Sequence, residues 1–156
     1  MPEALMTAAG TVLAFDFGTK RIGVAVGESV VRLAHPLAAI AGEETVSRFA
    51  AIAGMIAQWR PRHLVVGLPL STDGEPHEIT RRAERFARQL EGRFGLPVSR
   101  VDERYTSVDA EASLRAAGVR RAGREKSVDS AAAQLILQQW FDEQLRSGNR
   151  ADKHAA

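Results

Sequence analysis

The sequence predicts an α/β fold: a five-stranded mixed sheet, three antiparallel strands followed by two parallel ones, with helices on both faces. Three observations lead there. Three strand-like segments follow one another near the start with short connections, which makes them antiparallel neighbours. Two further short apolar runs then alternate with helical patterns, as parallel strands joined by crossovers do. The chain of 156 residues is long enough to bury one core, and no repeat or linker divides it.

Thr11 to Phe15 and Ile22 to Val26 are apolar and β-branched runs around a glycine-containing turn, and read as the first two strands. Val30 to Leu37 reads as the third, stopped near Pro36. From Glu44 to Trp59, Val46, Phe49, Ala50, Ala53, Ile56 and Ala57 recur at helical spacing, and Pro61 ends the pattern. His63 to Gly67 is a continuous apolar run suited to a strand buried on both faces. Leu68 to Pro76 is a glycine and proline loop, with Ser71 to Pro76 as a strand-to-helix connection. Ile79, Ala83, Phe86, Ala87, Leu90 and Phe94 define a second helix, closed by Gly95 and Pro97. Val98 to Val101 is the fifth strand. A short helix follows, with Thr106 and Asp109 in capping-box spacing and Gly118 as its stop. The last helix is expected from Val128 to Leu145. Residues 1–145 then form one domain, and the polar, small residues 146–156 a disordered tail.

Composition narrows the function. Apolar residues make up 45% and charged residues 26% of the chain, as in ordinary globular proteins. There is no cysteine, which excludes disulfides, thiolate zinc sites and cysteine nucleophiles and suits a cytoplasmic setting. No apolar run reaches membrane-spanning length, and Met1 to Gly10 lacks the basic start of a secretion signal. The net charge is only +2, but arginine gathers at Arg81, Arg82, Arg85 and Arg88, and basic residues again at Arg115, Arg120, Arg121, Arg124 and Lys126. Arginine clamps phosphate with paired hydrogen bonds, so the bias suits a polyanionic partner; a merely solvating surface is the plain alternative. His35, His63, His77 and His154 show no ligand spacing, and Trp59 and Trp140 read as helix-packing residues.

Three acids stand out by position. Asp16 ends the first strand at the mouth of the turn Gly18-Thr19-Lys20. Glu103 follows the fifth strand. Asp129 shares a helical stripe with Ala132, Ala133, Ile136 and Trp140, which turns it toward the sheet. Each has a bland explanation: a turn cap for Asp16, an ion pair with Arg104 for Glu103, a helix-dipole contact for Asp129. Together they suit phosphodiester hydrolysis. Two magnesium or manganese ions held by carboxylates roughly 4 Å apart activate water and stabilise the leaving oxygen, while Lys20 and Arg104 help relieve the repulsion among the acids.

Four segments carry a family resemblance: Phe15 to Ala25, Val65 to Leu70, Asp102 to Ser107, and Lys126 to Ala133. In this order and spacing the chain resembles the YqgF/RuvX-like group of the ribonuclease H-like superfamily, from about Thr11 to Phe141. The resemblance implies a ribonuclease H-like fold and a nuclease. It implies Asp16, Glu103 and Asp129 as catalytic residues and ligands of Mg2+ or Mn2+, two ions in all. Lys20, Arg21, Arg104, Thr106, Arg124 and Lys126 are the expected nucleic-acid contacts. Proteins of the group are described both as nucleases maturing the 5′ end of pre-16S ribosomal RNA and as Holliday-junction resolvases, so the implied partners are precursor rRNA or branched DNA, with ribosomal particles in the first case. The chain is expected as a monomer or a homodimer; symmetric cutting of a junction favours the dimer. Two departures are visible, Phe17 where the group often has Tyr and Ser130 where it often has a larger apolar residue. Asp102 stands beside Glu103 as the alternative ligand, since neighbours on a regular strand face opposite sides. Two other readings compete. Asp-x-Gly-Thr after a first strand also resembles the phosphate hairpin of actin-like and sugar-kinase ATPases, but those need two lobes and the chain has one such hairpin. A non-catalytic RNA-binding maturation factor is the other.

Overall fold

The computed structural model describes residues 10–69, 77–102 and 121–155, with side chains in the last helix for residues 130–147. The elements are β1 (Thr11–Phe17), β2 (Arg21–Glu28), β3 (Ala34–Ala41), α1 (Thr45–Trp59), β4 (His63–Leu68), α2 (Glu78–Phe94), β5 (Val98–Asp102) and α3 (Arg121–Ala155). The sheet order is β3-β2-β1-β4-β5. β2 runs antiparallel to both β1 and β3, and β4 runs parallel to both β1 and β5. This is the predicted mixed sheet.

Side-chain alternation along β1 divides the core in two. Leu13, Phe15 and Phe17 point to one face, where they pack with Phe49 and Ile52 of α1 and with Ala83, Phe86 and Leu90 of α2. Phe86 is the centre of that layer: its ring lies 6.0 Å from Phe15, 5.3 Å from Phe17 and 5.8 Å from Phe49. Val12 and Ala14 point to the other face, with Ala25, Val65 and Val101, beneath Ala133, Ile136, Leu137, Trp140 and Phe141 of α3. Trp140 is a packing residue as expected, stacked 4.8 Å from His63, whose Nε2 lies 2.7 Å from Ser99 Oγ.

Two element boundaries and one helix face differ from those expected. β3 spans Ala34–Ala41 instead of ending near Pro36, because it is the edge strand, where a missing N–H costs the ladder nothing. The apolar Val30, Val31 and Leu33 that suggested an earlier start lie exposed before the strand. α1 turns a different face inward: Arg48, Phe49 and Ile52 are buried, while Val46, Ala50, Ala53 and Ala57 are exposed. Alanine patterns weakly, and a buried arginine cannot be recognised by hydropathy. α3 extends beyond Val128 to Leu145 at both ends. The expected short helix at Thr106 to Gly118 lies outside the described residues, as does the loop Ser71 to Pro76.

α3 also closes the open side of β3. Gln138 Oε1 accepts a bond from the Ala34 amide at 3.2 Å, and Gln134 Nε2 donates to the Ala34 carbonyl at 2.9 Å. Ser130, buried, donates its hydroxyl to the Leu37 carbonyl. A larger apolar side chain at position 130 could not make that bond. These contacts cover an edge that would otherwise invite pairing. They also set the direction of α3. Residue 130 lies level with Leu37, hence with Val24 and Phe15, whereas Gln134 and Gln138 lie level with Ala34, hence with Gly27 and Val12. The helix therefore runs antiparallel to β1, its earlier residues toward the end of β1 that carries Asp16.

Candidate nucleic-acid-cleaving site

Asp16 occupies the central strand, and its opposite numbers on both neighbours are glycines, Gly23 on β2 and Gly67 on β4. Directly opposed residues share a sheet face. The half-buried carboxylate thus stands in a row without flanking side chains, on the face that α3 covers further down. Arg21 belongs to the same face, two positions before Gly23 toward the turn.

The turn itself is tightly built. A Cβ at Gly18 would collide with the carbonyl oxygen of Arg21, so glycine is required by close approach. Lys20 is exposed there, and its carbonyl receives the Gly42 amide at 3.0 Å. Beneath the turn lies Arg48, which is 6% exposed. Its Nε donates to Gly42 O, and its Nη2 to both Gly18 O and Thr19 O, each at 2.7 Å. Burial depresses the Arg48 pKa, the neighbouring Arg82 charge depresses it further, and Glu43 pulls the other way. Sequence reading missed this residue. The only signal was an arginine in phase with Phe49, Ile52 and Trp59 on α1.

Of the sequence-predicted site residues, Asp16, Lys20 and Arg21 come together around the turn. Asp129 has a helical backbone one turn before Ala133, on the stripe that continues through the buried Ile136 and Trp140; its side chain lies outside the described residues, as do those of Arg124 and Lys126. Glu103, Arg104 and Thr106 lie outside the described residues altogether. Among the described residues, no group of three or more acids or histidines is arranged to hold a metal ion. Asp102 is described, and it faces away: its partner is Leu68, in the α1 and α2 layer. Arg100, two residues earlier on the same face, reaches Glu84 and Glu91 of α2 at 3.0 and 2.8 Å. The alternative ligand Asp102 therefore does not share the Asp16 face.

A family model described as RuvX, Holliday junction resolvase, matches residues 10–143. The chain belongs to the RuvX family. A relative from Dechloromonas aromatica, named "Putative pre-16S rRNA nuclease", is 56% identical over 133 residues, covering 85% of this chain and 91% of that protein. One of the same name from Chromobacterium violaceum is 55% identical over 132 residues, covering 84% and 96%. Among solved structures, Thermus thermophilus RuvC superposes with a TM-score of 0.52 at 16% identity, covering 86% of this chain and 96% of that one. Fowlpox virus resolvase, solved with Holliday junction DNA, gives 0.50 at 10% identity, covering 86% and 98%. At such identities the likeness concerns the fold, and this RuvX-family chain has the ribonuclease H-like fold. Phe17, its departure at the turn, needs no hydroxyl: the ring is 9% exposed and packed on Phe86, with the Arg48 and Arg82 guanidiniums 5.5 and 5.9 Å from its centroid. No helix among the described residues is long and apolar enough to cross a membrane.

Proposed function

We propose that this protein is a metal-dependent endonuclease that hydrolyses phosphodiester bonds of structured nucleic acid, in maturing the 5′ end of pre-16S ribosomal RNA. The observation that carries the reading is Asp16: a carboxylate on the central strand, with a glycine opposite it on each neighbouring strand, at the sheet end toward which the earlier residues of α3 run. An oxygen donor there suits a hard divalent cation. Asp16, Glu103 and Asp129 would hold Mg2+ or Mn2+. Glu103 follows β5 directly in sequence, and the Asp129 backbone precedes Ala133 by one turn of α3. Bound as a pair, such ions supply an activated water and charge at the leaving oxygen.

The chain's own residues do the rest. The hydrogen-bonded strands on both sides of Asp16 fix its backbone, so the carboxylate needs little reorganisation. Lys20 and Arg21, at the turn, contact the phosphates flanking the scissile bond, with Arg104, Thr106, Arg124 and Lys126 as further contacts. The partner is nucleic acid, and the proposed setting is the cytoplasmic ribosomal precursor.

The test is cleavage of precursor 16S rRNA, four-way DNA junctions and single strands by the purified protein with Mg2+ or Mn2+. Asp16→Asn, nearly isosteric, should abolish cleavage and retain binding. Full activity of that variant would overturn the reading. The description of the family model favours a four-way junction as the second reading, and preferential cutting of the junction in the same panel would select it.

A further inference from the structure

On the opposite face of the sheet from Asp16, at the same end, a cleft of about 260 Å³ opens between α1 and α2, floored by Phe17 and Phe86 and lined by Arg48, Arg82 and Arg85. Three guanidinium groups converge there, and Glu43 is the acid on its rim. Like charges gathered in a partly desolvated cleft repel one another, and the lowered Arg48 pKa reflects both burial and the Arg82 charge. The acids of α2 do not relieve the repulsion. Glu84 and Glu91 both bind Arg100, and Glu78 lies near Arg81. Among the described residues, Arg82 and Arg85 have no ion-pair partner, and Arg48 Nη1 makes no hydrogen bond. Arg82 is instead held over the Phe17 ring, which orients a guanidinium without neutralising it.

We propose that this cleft binds a backbone phosphate of the nucleic-acid substrate, so that one strand passes from Asp16 over the β1–β2 turn to the α1–α2 face. The proposal rests on the nucleic-acid reading above, but not on cleavage. A phosphate accepts paired N–H donors from arginine with matching geometry, and the cleft supplies two exposed guanidiniums beside a buried one. Adjacent residues Asp16 and Phe17 project to opposite faces, so the scissile site and the cleft are separated only by the rim of the sheet, where exposed Lys20 stands. A strand crossing that rim meets positive charge along its path.

The test uses the full chain in EDTA, so that binding is read apart from catalysis, with a short fluorescein-labelled single-stranded RNA as probe. The double variant Arg82→Ala/Arg85→Ala removes the two exposed charges. Arg81→Ala/Arg88→Ala removes the same net charge from exposed positions on the same helix outside the cleft. Both should retain the wild-type fold by circular dichroism, since all four side chains reach solvent. The expected result is severalfold weaker binding by the cleft variant alone. The slope of log affinity against log salt should fall by about 0.7 for each single-strand phosphate that the variant no longer neutralises. Equal weakening in the two variants, or none in the cleft variant, overturns the proposal. So does saturable binding of inorganic phosphate or AMP that the cleft variant loses while its RNA affinity stays at wild type, because the site would then serve a free anion. Failure of the nuclease reading is distinct: it appears as full cleavage by Asp16→Asn and leaves these binding curves unchanged.

Discussion

Removing the guanidinium at position 48 tests how the turn after Asp16 is held. Arg48→Met keeps most of the stem and deletes three hydrogen bonds of 2.7 Å, to the carbonyls of Gly18, Thr19 and Gly42. Bonds to a charged donor contribute about 1.5–3 kcal/mol each. Against that gain stand the burial of the guanidinium and its repulsion by Arg82, both visible in its lowered pKa. The carbonyls also lie in loops that water can partly reach. Half or more of the gross gain is therefore offset, leaving a net loss of about 3 kcal/mol. For a chain of 156 residues, this lowers the melting temperature by about 6–12 °C. Urea unfolding measures the free energy directly. Hydrogen exchange locates the effect, because the Gly42 amide, bonded to Lys20 O, should lose protection first. Arg48→Lys keeps the charge but not the fork that spans three carbonyls, and should recover only a minor part. A Met variant within about 0.5 kcal/mol of wild type, or a Lys variant equal to it, would refute the assignment of Arg48 as the support of the turn.

Two further outcomes follow from the packing of α3. A Cβ at Gly27 would lie 2.6 Å from the Phe141 ring and 2.8 Å from the Leu33 carbonyl, so Gly27→Ala should cost about 1–3 kcal/mol in urea unfolding; no loss would mean that α3 sits further from β2. Burial lowers the His63 pKa below its usual 6.5. Between the depressed folded value and 6.5 the unfolded chain binds more protons, so stability falls as pH drops below about 6.5. An NMR titration should find the His63 midpoint below 6.5, and His63→Phe, which keeps a ring against Trp140, should flatten that part of the stability curve.

Most of the fold was legible because its strands are short apolar runs punctuated by glycine and proline, and because α2 carries a strong stripe from Ile79 to Phe94. What escaped was decided by tertiary context. Pro36 reads as a strand stop, yet it sits within β3 because no further strand pairs with that edge. Val30 and Val31 read as strand residues, yet nothing covers them among the described residues. The inward face of α1 was misjudged because Arg48 is buried for its hydrogen bonds, a role with no periodic signature. Asp16 was found because an acid at the end of a buried strand contradicts its surroundings. The arginine cleft was visible only as a basic run at Arg81 to Arg88, since which two of those four face α1 depends on how the helices meet.

The sheet register also sets which described residues share a face with Asp16. Each strand presents every second residue to the α3 face, so Asp16 brings Gly23, Gly67 and Val101 into line with it. Asp102 falls between rows and joins Arg100 on the α2 side, where Glu84 and Glu91 already bind that arginine. A metal bridging Asp16 and Asp102 would have to reach around the sheet. The backbone of Asp129 lies one turn before Ala133, toward the end of α3 nearer Asp16. The two glycines add no side chain to that row. The same alternation sends Phe17 to the other side, where its ring holds Arg82 beside Arg48. Under the proposed reading, metal binding at Asp16 and phosphate binding in the cleft would fall on opposite faces of one strand, with the turn braced by Arg48 between them.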